Sequence, residues 1–357
     1  MNPLSRTRLS IGIVYALAAA ALFGASTPLS KLLLGSVDPW LLAGLLYLGS
    51  GSGLSLWLLL GARLTGKDSK EASLKRADLP WLGGAVFFGG VVGPLLLMLG
   101  LASTPAASAS LLLNLEGVLT ALLAWFVFKE NFDRRIALGM LSIVAGALVL
   151  NWRSDATVGD LIGPAAIVGA CLAWALDNNL TRKVSLSDPV QIAMIKGLVA
   201  GPASLAIGYA TGSAMPPLAT VGLGAVTGFL GYGVSLVLFV LALRHLGTAR
   251  TGAYFSIAPF IGAVVSIPLF GESVTLRLFS AGALMALGVW LHLSERHEHD
   301  HEHHEGAHEH RHSHDEHHDH AHDESVDPTQ PHSHWHRHKP LRHAHPHTPD
   351  SHHRHSH

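Results

Sequence analysis

Several charged side chains lie inside long apolar stretches of this 357-residue sequence. The clearest cases are Lys31, Glu116, Asp177 and Lys196. A charge at the centre of a bilayer costs at least about 2.5–3.5 kcal/mol, so it is kept only beside a partner, water or a bound proton. Charged residues in such positions mark solute or proton pathways in membrane proteins. Their presence therefore indicates a polar path through an apolar protein.

Glu116 is the most informative of these residues, because it lies eleven residues into an apolar run over 105–128. Its neighbours one helical turn away are Leu112 and Thr120, and small Ala109 lies beyond them, so this helix face could line a cavity. Two interpretations remain open. Glu116 is either a carboxyl that binds solute or a coupling proton, or a neutral group that hydrogen-bonds to a neighbouring helix.

Other polar residues are weaker candidates for contact with a solute. Lys196 ranks second, because it lies seven residues into its run and is harder to extend to the interface. Lys31 either extends to the interface or, with Pro28, borders a cavity beside a broken helix. Tyr232 offers a hydroxyl or packs within the helix bundle. We expect Asn114 to join neighbouring helices.

The densest polar cluster in any apolar run is Asp177-Asn178-Asn179. Asp177 with Thr181, and Asn178 with Arg182, have the i,i+4 spacing that brings side chains together on a helix. We expect this cluster to cap the helix at the interface or to pair with Arg182. Contact of Asp177 and Asn178 with solute is the alternative.

Ten apolar runs have the length of about 20 residues that a helix needs to cross the hydrocarbon layer. With the N-terminus inside, the inner segments carry 15 Lys or Arg and the outer loops carry only two, Arg153 and Arg277. This bias predicts cytoplasmic termini in a bacterial inner membrane. The predicted spans are 11–34, 39–61, 80–101, 105–128, 135–151, 160–182, 190–210, 217–243, 249–270 and 276–293.

The sequence also repeats itself. Residues 124–130 correspond to 266–272, an offset of 142 that aligns Glu130 with Glu272. Five helices per unit is an odd number, so the second copy must cross the membrane upside down. Inverted repeats are typical of secondary transporters, whose site lies between the halves near the bilayer midplane. The predicted domains are the two repeats, 1–152 and 153–294, and a tail, 295–357.

Both halves resemble the EamA repeat of the drug/metabolite transporter superfamily, over about residues 10–294. The resemblance rests on 115–125 with Glu130, on 257–265 with Glu272, and on the Asp-Pro that opens the second helix of each repeat. It implies an all-α membrane protein of ten helices in two inverted repeats. It also implies transport of small organic metabolites, without fixing a substrate.

The sequence departs from this pattern at two places. Gly117 stands where the family usually has the proline that Pro259 keeps. The basic residue usual in the second helix is Lys196 in the second repeat, but the first repeat has Leu46-Tyr47 there. These departures predict an asymmetric polar site.

The tail differs from the rest of the chain in its amino-acid composition. It holds 24 of the 26 histidines, with 13 acidic against 6 basic residues, and its low complexity predicts disorder. Imidazole and carboxylate together suit Zn²⁺, Ni²⁺, Co²⁺ and Cu²⁺. We expect several exchangeable sites rather than one structural site. The candidate ligands at His-x-His spacing are His297, His299, His301, His303, His308, His310, His312, His314, His332, His334, His336 and His338.

These features together predict a transporter rather than an enzyme, because neither a nucleophile–base pair nor a phosphate-binding loop occurs in the sequence. We expect a secondary transporter that exports small organic metabolites by alternating access, with proton coupling left open. The alternatives are a Ni²⁺, Co²⁺ or Zn²⁺ efflux protein that uses the tail, or a non-transporting metal sensor. Expected partners are a solute, the lipid bilayer and divalent metals at the tail. A homodimer is left open, and neither nucleic acid nor a required cofactor is expected.

Overall fold

The computed structural model places an α-helical body and several short strands. Apolar runs with few charges form the helices, because a helix satisfies all of its backbone hydrogen bonds within one segment. The structure describes residues 3–65, 74–128, 134–152, 158–184, 187–246, 248–293, 298–303, 306–312, 332–338 and 341–346.

Fourteen α-helices are present in these ranges, together with one 3₁₀ turn, Arg76–Asp78, and two π-helical segments. Val86–Val92 is the first π segment, between α3 and α4, and Phe229–Val234 is the second, between α10 and α11. The helices are α1 Pro3–Leu33, α2 Pro39–Thr65, α3 Leu79–Ala85, α4 Gly93–Ser103, α5 Ala106–Leu112, α6 Leu115–Phe128, α7 Arg134–Asn151, α8 Val158–Thr181, α9 Pro189–Ala210, α10 Leu218–Gly228, α11 Ser235–Leu246, α12 Thr248–Phe255, α13 Ala258–Phe270 and α14 Leu276–Leu293.

The membrane-spanning character of this body agrees with the sequence. Eight helical stretches are long and apolar enough to cross a membrane, and two shorter apolar helices follow at Ala258–Phe270 and Leu276–Leu291. These ten stretches correspond in order to the ten predicted spans. The prediction of an all-α integral membrane body is therefore confirmed.

The fourth and ninth spans are not the continuous helices that the sequence predicted. The fourth span breaks between α5 and α6, and the ninth breaks between α12 and α13. Side chains at the breaks take up backbone carbonyls: Asn114 donates to the Leu111 carbonyl at 3.0 Å, and Ser256 donates to the Gly252 carbonyl at 2.8 Å. Asn and Ser weaken helices by such local bonds. Glu116 thus lies in the first turn of α6, not in mid-helix.

The packing of the helices follows the internal repeat. α2 packs along α9, and α7 packs along α14, which joins the second span to the seventh and the fifth to the tenth. α4 packs on α8, and the corresponding pair, α11 and α1, packs in the same way. Each half therefore contributes the equivalent helix to every one of these interfaces, as expected for inverted repeats.

Parts of the tail are described as short strands. β1 Glu298–His303 pairs antiparallel with β4 Leu341–Pro346, and β2 Gly306–His312 pairs with β3 His332–His338. The alternating His-x-His sequence has the period of two that suits an extended chain. The candidate ligands His297 and His314 lie outside the described residues.

Candidate functional site

A buried ion pair joins α8 to α9. The Lys196 Nζ donates to both carboxylate oxygens of Asp177, each at 2.7 Å. Lys196 is 2% exposed and Asp177 is 6% exposed. Thr181 adds a third hydrogen bond to Asp177, at 2.8 Å. The predicted pairing of Asp177 with Thr181 is present. The expectation of an interfacial cap is wrong, because Asp177 is turned into the bundle.

Glu116 and Asn178 form a second polar contact next to this pair. The Asn178 Nδ2 donates to Glu116 Oε1 at 2.7 Å and joins the start of α6 to α8. Both residues are only partly buried. Among the described residues, no hydrogen-bond donor lies on the other carboxylate oxygen, Oε2. Glu116 lies in the first turn of α6, where the helix dipole favours a carboxylate.

The first π segment packs against the ion pair. In this segment the Gly93 N–H donates to the Phe88 carbonyl, five residues back. The Gly89 carbonyl accepts two side-chain hydrogen bonds, from the Tyr47 hydroxyl at 2.6 Å and from the Trp174 Nε1 at 3.1 Å. A Cβ on Gly89 would overlap the Asp177 carboxylate, so only glycine permits this approach.

A cluster of aromatic rings adjoins the ion pair. Phe23 on α1 lies 5.8 Å from Trp174 and 5.8 Å from Tyr232, both with edge-to-face geometry, and 5.5 Å from Phe255. Tyr232, in the second π segment, also lies 5.3 Å from Tyr47. These distances are typical of aromatic pairs that stabilise each other. The rings bring together the first, second, sixth, eighth and ninth spans.

Lys31 and Glu272 lie together at the end of the body where α1 ends. The Lys31 Nζ donates to the Leu101 carbonyl and, at 2.9 Å, to the Thr104 carbonyl. Lys31 therefore does not border the contact between Glu116 and Asn178. The Glu272 carboxylate accepts from the Ala106 N–H at 2.7 Å and from the Ala107 N–H at 3.1 Å, which caps α5. We call this end the closed side.

The broken helices pack tightly on the closed side only. α5 packs against α13, and a Cβ on Gly262 of α13 would lie 2.7 Å from the Ser110 Oγ of α5. The repeat relates this pair to α12 and α6, yet within the described ranges those two helices have no comparable packing. The helices diverge at the breaks, where a Cβ on Gly117 would lie 3.8 Å from the Ser256 Oγ. Glu116 lies at this point of divergence.

The sequence matches the model of a known protein family twice. The model of the EamA-like transporter family matches residues 10–152 and again residues 161–294. The chain belongs to the EamA-like transporter family. Each match contains five of the ten spans, so the family's repeat occurs twice in this transporter. The resemblance noted in the sequence is thereby confirmed.

Individual relatives agree with this membership. An uncharacterised transporter of Methanothermobacter thermautotrophicus is 27% identical, over 78% of this chain and 85% of its own length. A probable amino-acid metabolite efflux pump of Salmonella typhimurium is 25% identical, over 53% of this chain and 68% of its own. The probable 4-amino-4-deoxy-L-arabinose-phosphoundecaprenol flippase subunit ArnE of Pseudomonas fluorescens is 35% identical over all of its length and 28% of this chain.

A solved structure shares the fold. It covers 81% of this chain and 98% of its own, with a TM-score of 0.59 and 18% sequence identity. At this identity the likeness concerns the helical architecture alone. The protein is thus a multi-pass membrane protein with the fold of a transporter family.

The structure brings some of the predicted residues together and separates others. Glu116 and Asn178 are in contact, as are Lys196 and Asp177, and Tyr232 lies on the aromatic side of the same region. Asn114 lies on the α14 side of the break, where its Nδ2 is 3.9 Å from the Met285 Sδ. Lys31 lies at the closed side. The roles of all these residues in transport stay predictions.

The sequence did not predict the positions of Phe23 and Trp174 beside the site. A signal for the π segments was present, because Phe87 and Gly89 align with Phe229 and Gly231 at the repeat offset of 142.

No group of three or more His, Cys, Asp or Glu side chains with metal-binding geometry occurs in the part of the chain that the structure describes.

Proposed function

We propose that this EamA-like protein is a secondary transporter that moves a small organic solute by alternating access. The observation that carries the proposal is the unequal packing of two helix pairs that the inverted repeat makes equivalent. α5 and α13 pack closely, whereas α6 and α12 diverge from the breaks, and the polar residues lie where they diverge. Exchange of these two arrangements would open the site to the opposite side.

The sequence and the relatives support a direction of transport and a cellular location. The bias of Lys and Arg supports cytoplasmic termini in a bacterial inner membrane, which makes the closed side the outer side. The efflux activity in the name of the Salmonella relative supports export. We assign transport rather than catalysis, and coupling to protons at Glu116.

A disulfide across the closed side tests alternating access. In a Cys171→Ser background, Ser110→Cys and Gly262→Cys place two thiols on facing helices, since a Cβ on Gly262 would lie 3.1 Å from the Ser110 Cβ. We expect oxidation to stop solute flux in proteoliposomes and a reductant to restore it, because the outer side can no longer open. Counterflow with a metabolite extract and mass spectrometry measures the flux.

The Ser110→Cys single variant, oxidised in the same way, controls for thiol damage and should keep its flux. Full flux with the disulfide formed would overturn the proposal. If the crowded Gly262→Cys variant does not fold, Gly117→Cys offers a second measurement. Its thiol should react with a membrane-impermeant maleimide from the inner side, and labelling from the outer side alone would contradict the assigned state.

We further propose that the tail is a cytosolic metal-binding segment separate from the transport path. The strand pairing puts His308 opposite His336, with His310 opposite His334 and His312 opposite His332, so histidine positions face each other in register. Neutral imidazoles suit Zn²⁺, Ni²⁺, Co²⁺ or Cu²⁺.

Truncation after Leu293 is expected to abolish most Zn²⁺ or Ni²⁺ binding but to leave organic-solute flux largely intact. Metal binding by the full chain should fade as the pH falls through about 6.5, because protonated imidazoles are no longer ligands. Equilibrium dialysis and the counterflow assay measure the two properties. Metal-dependent flux that disappears with the tail would instead favour a metal exporter, and loss of metabolite flux would contradict the separation.

A further inference from the structure

The polar and aromatic parts of the site form one closed circuit of side chains. Asn178 contacts Glu116, and Trp174 lies one helical turn from Asn178 on the same face of α8. Trp174 contacts Phe23, which contacts Phe255. Ser256 follows Phe255 and lies beside Gly117, the neighbour of Glu116. The circuit therefore returns to its starting point after crossing four spans.

Most side chains of this circuit are partly exposed. Glu116, Asn178, Phe23, Phe255 and Ser256 are all partly exposed, although they lie between the two repeats. Side chains that only packed against one another would be buried, as Trp174 is at 6% exposure. The partly exposed surfaces are one carboxylate, one amide, one hydroxyl and two aromatic rings.

The charged residues around the site favour a cationic ligand. Lys196 gives hydrogen bonds to both oxygens of Asp177, so this pair is neutral as a unit and both of its members are buried. Lys31 is bound to backbone carbonyls at the closed side. Glu116 is the charged residue of the circuit. Among the described residues, its Oε2 accepts no hydrogen bond. An anion there would face a carboxylate, whereas an ammonium group would supply the missing donor and charge.

The aromatic rings of the circuit also favour a cationic ligand. A cation near an aromatic face is attracted by the ring quadrupole, most strongly by tryptophan. Phe23 and Phe255 also offer apolar surface to a flat group attached to the cation. We propose that the solute is an amine carrying one positive charge and an aromatic or other planar apolar group. Its ammonium binds Glu116, and its planar group packs against the partly exposed surfaces of Phe23 and Phe255. This proposal rests on the proposed transport function.

Binding to the purified full chain tests this ligand class with radiolabelled tryptamine as the probe. Unlabelled tryptamine should compete best, whereas n-butylamine, which lacks the ring, and indole-3-acetate, which is an anion, should compete poorly. Tryptophan should compete worse than tryptamine, because its carboxylate meets Glu116. Equal competition by indole-3-acetate would overturn the charge assignment, and equal competition by n-butylamine would overturn the role of the rings.

Two variants locate the binding within the circuit. Glu116→Gln should weaken tryptamine binding by about tenfold or more, the usual scale for a hydrogen bond to a charged group. Phe23→Leu should reduce the preference for tryptamine over n-butylamine. Phe279→Leu, on the exposed face of α14, is the matched control and should change neither. Unchanged tryptamine binding in folded Glu116→Gln protein would overturn the assignment.

Failure of the ligand class and failure of transport give different results. If proteoliposomes move another solute and the Ser110–Gly262 disulfide blocks that flux, but tryptamine does not bind, then the ligand class is wrong and the transport function stands. If no solute from the metabolite extract moves, the transport function fails. Tryptamine binding without flux would then leave a binding protein with the same circuit.

Discussion

Replacing Glu116 with Gln is expected to reduce proton-driven solute flux to the rate of protein-free liposomes while the protein still folds. Gln keeps the size of the side chain, and its amide oxygen can still accept the hydrogen bond from Asn178. It cannot release a proton or compensate a cationic solute. Solute exchange without a proton gradient is expected to fall less than proton-driven flux, because exchange needs no proton release and is lowered only by the weaker binding of the solute.

Flux assays in proteoliposomes, with and without a pH gradient, measure this difference. Asp38→Asn, an acid-to-amide change at the exposed start of α2, is the matched control and should behave as the unmodified protein, because the amide oxygen can still accept the hydrogen bond from the Trp40 N–H. Thermal stability in detergent separates folding from function. Glu116→Gln protein with unmodified flux across about pH 5.5–8 would return Glu116 to a structural role.

The second large effect is expected on stability, at the ion pair between α8 and α9. Lys196→Met leaves Asp177 buried without its partner, and removal of one member of a buried pair costs about 3–5 kcal/mol. Asp177→Asn leaves the ammonium group of Lys196 in the same position and should cost a similar amount. Melting temperature and the yield of monodisperse protein in detergent measure both variants.

The double variant Lys196→Met/Asp177→Asn distinguishes pairing from solute contact. Since it removes both charges together, it should recover most of the stability lost in either single variant. If Lys196 instead bound an anionic solute, Lys196→Met would lower solute affinity and leave stability unchanged. Additive losses of stability in the double variant would contradict the pairing.

The sequence by itself determined the membrane architecture and marked the residue at its centre. Apolar runs of spanning length, a repeat at an offset of 142 and the EamA pattern predicted the ten spans and the two inverted units. These properties are local or periodic, so they can be read without knowing which helices meet. Glu116 could be singled out because a mid-span carboxyl is costly wherever its helix packs.

Only the tertiary structure decided how the polar residues are paired. Asp177 and Lys196 lie on different helices, and the rotation of α8 and α9 about their axes determines whether they meet. Sequence spacing instead suggested a link between Asn178 and Arg182 on one helix. In the structure Asn178 bonds to Glu116, because α6 packs against α8. The breaks after Leu112 and Phe255 also depend on side chains that compete for backbone carbonyls.

The unequal packing of α5 with α13 and of α6 with α12 could not be predicted from the sequence. The repeat makes the two pairs equivalent, so the sequence describes both arrangements and does not select one. In the structure the closed side also carries the hydrogen bonds from Lys31 to the carbonyl of Thr104 and from α5 to Glu272. In the alternating access proposed above, the opposite arrangement would require these contacts to break.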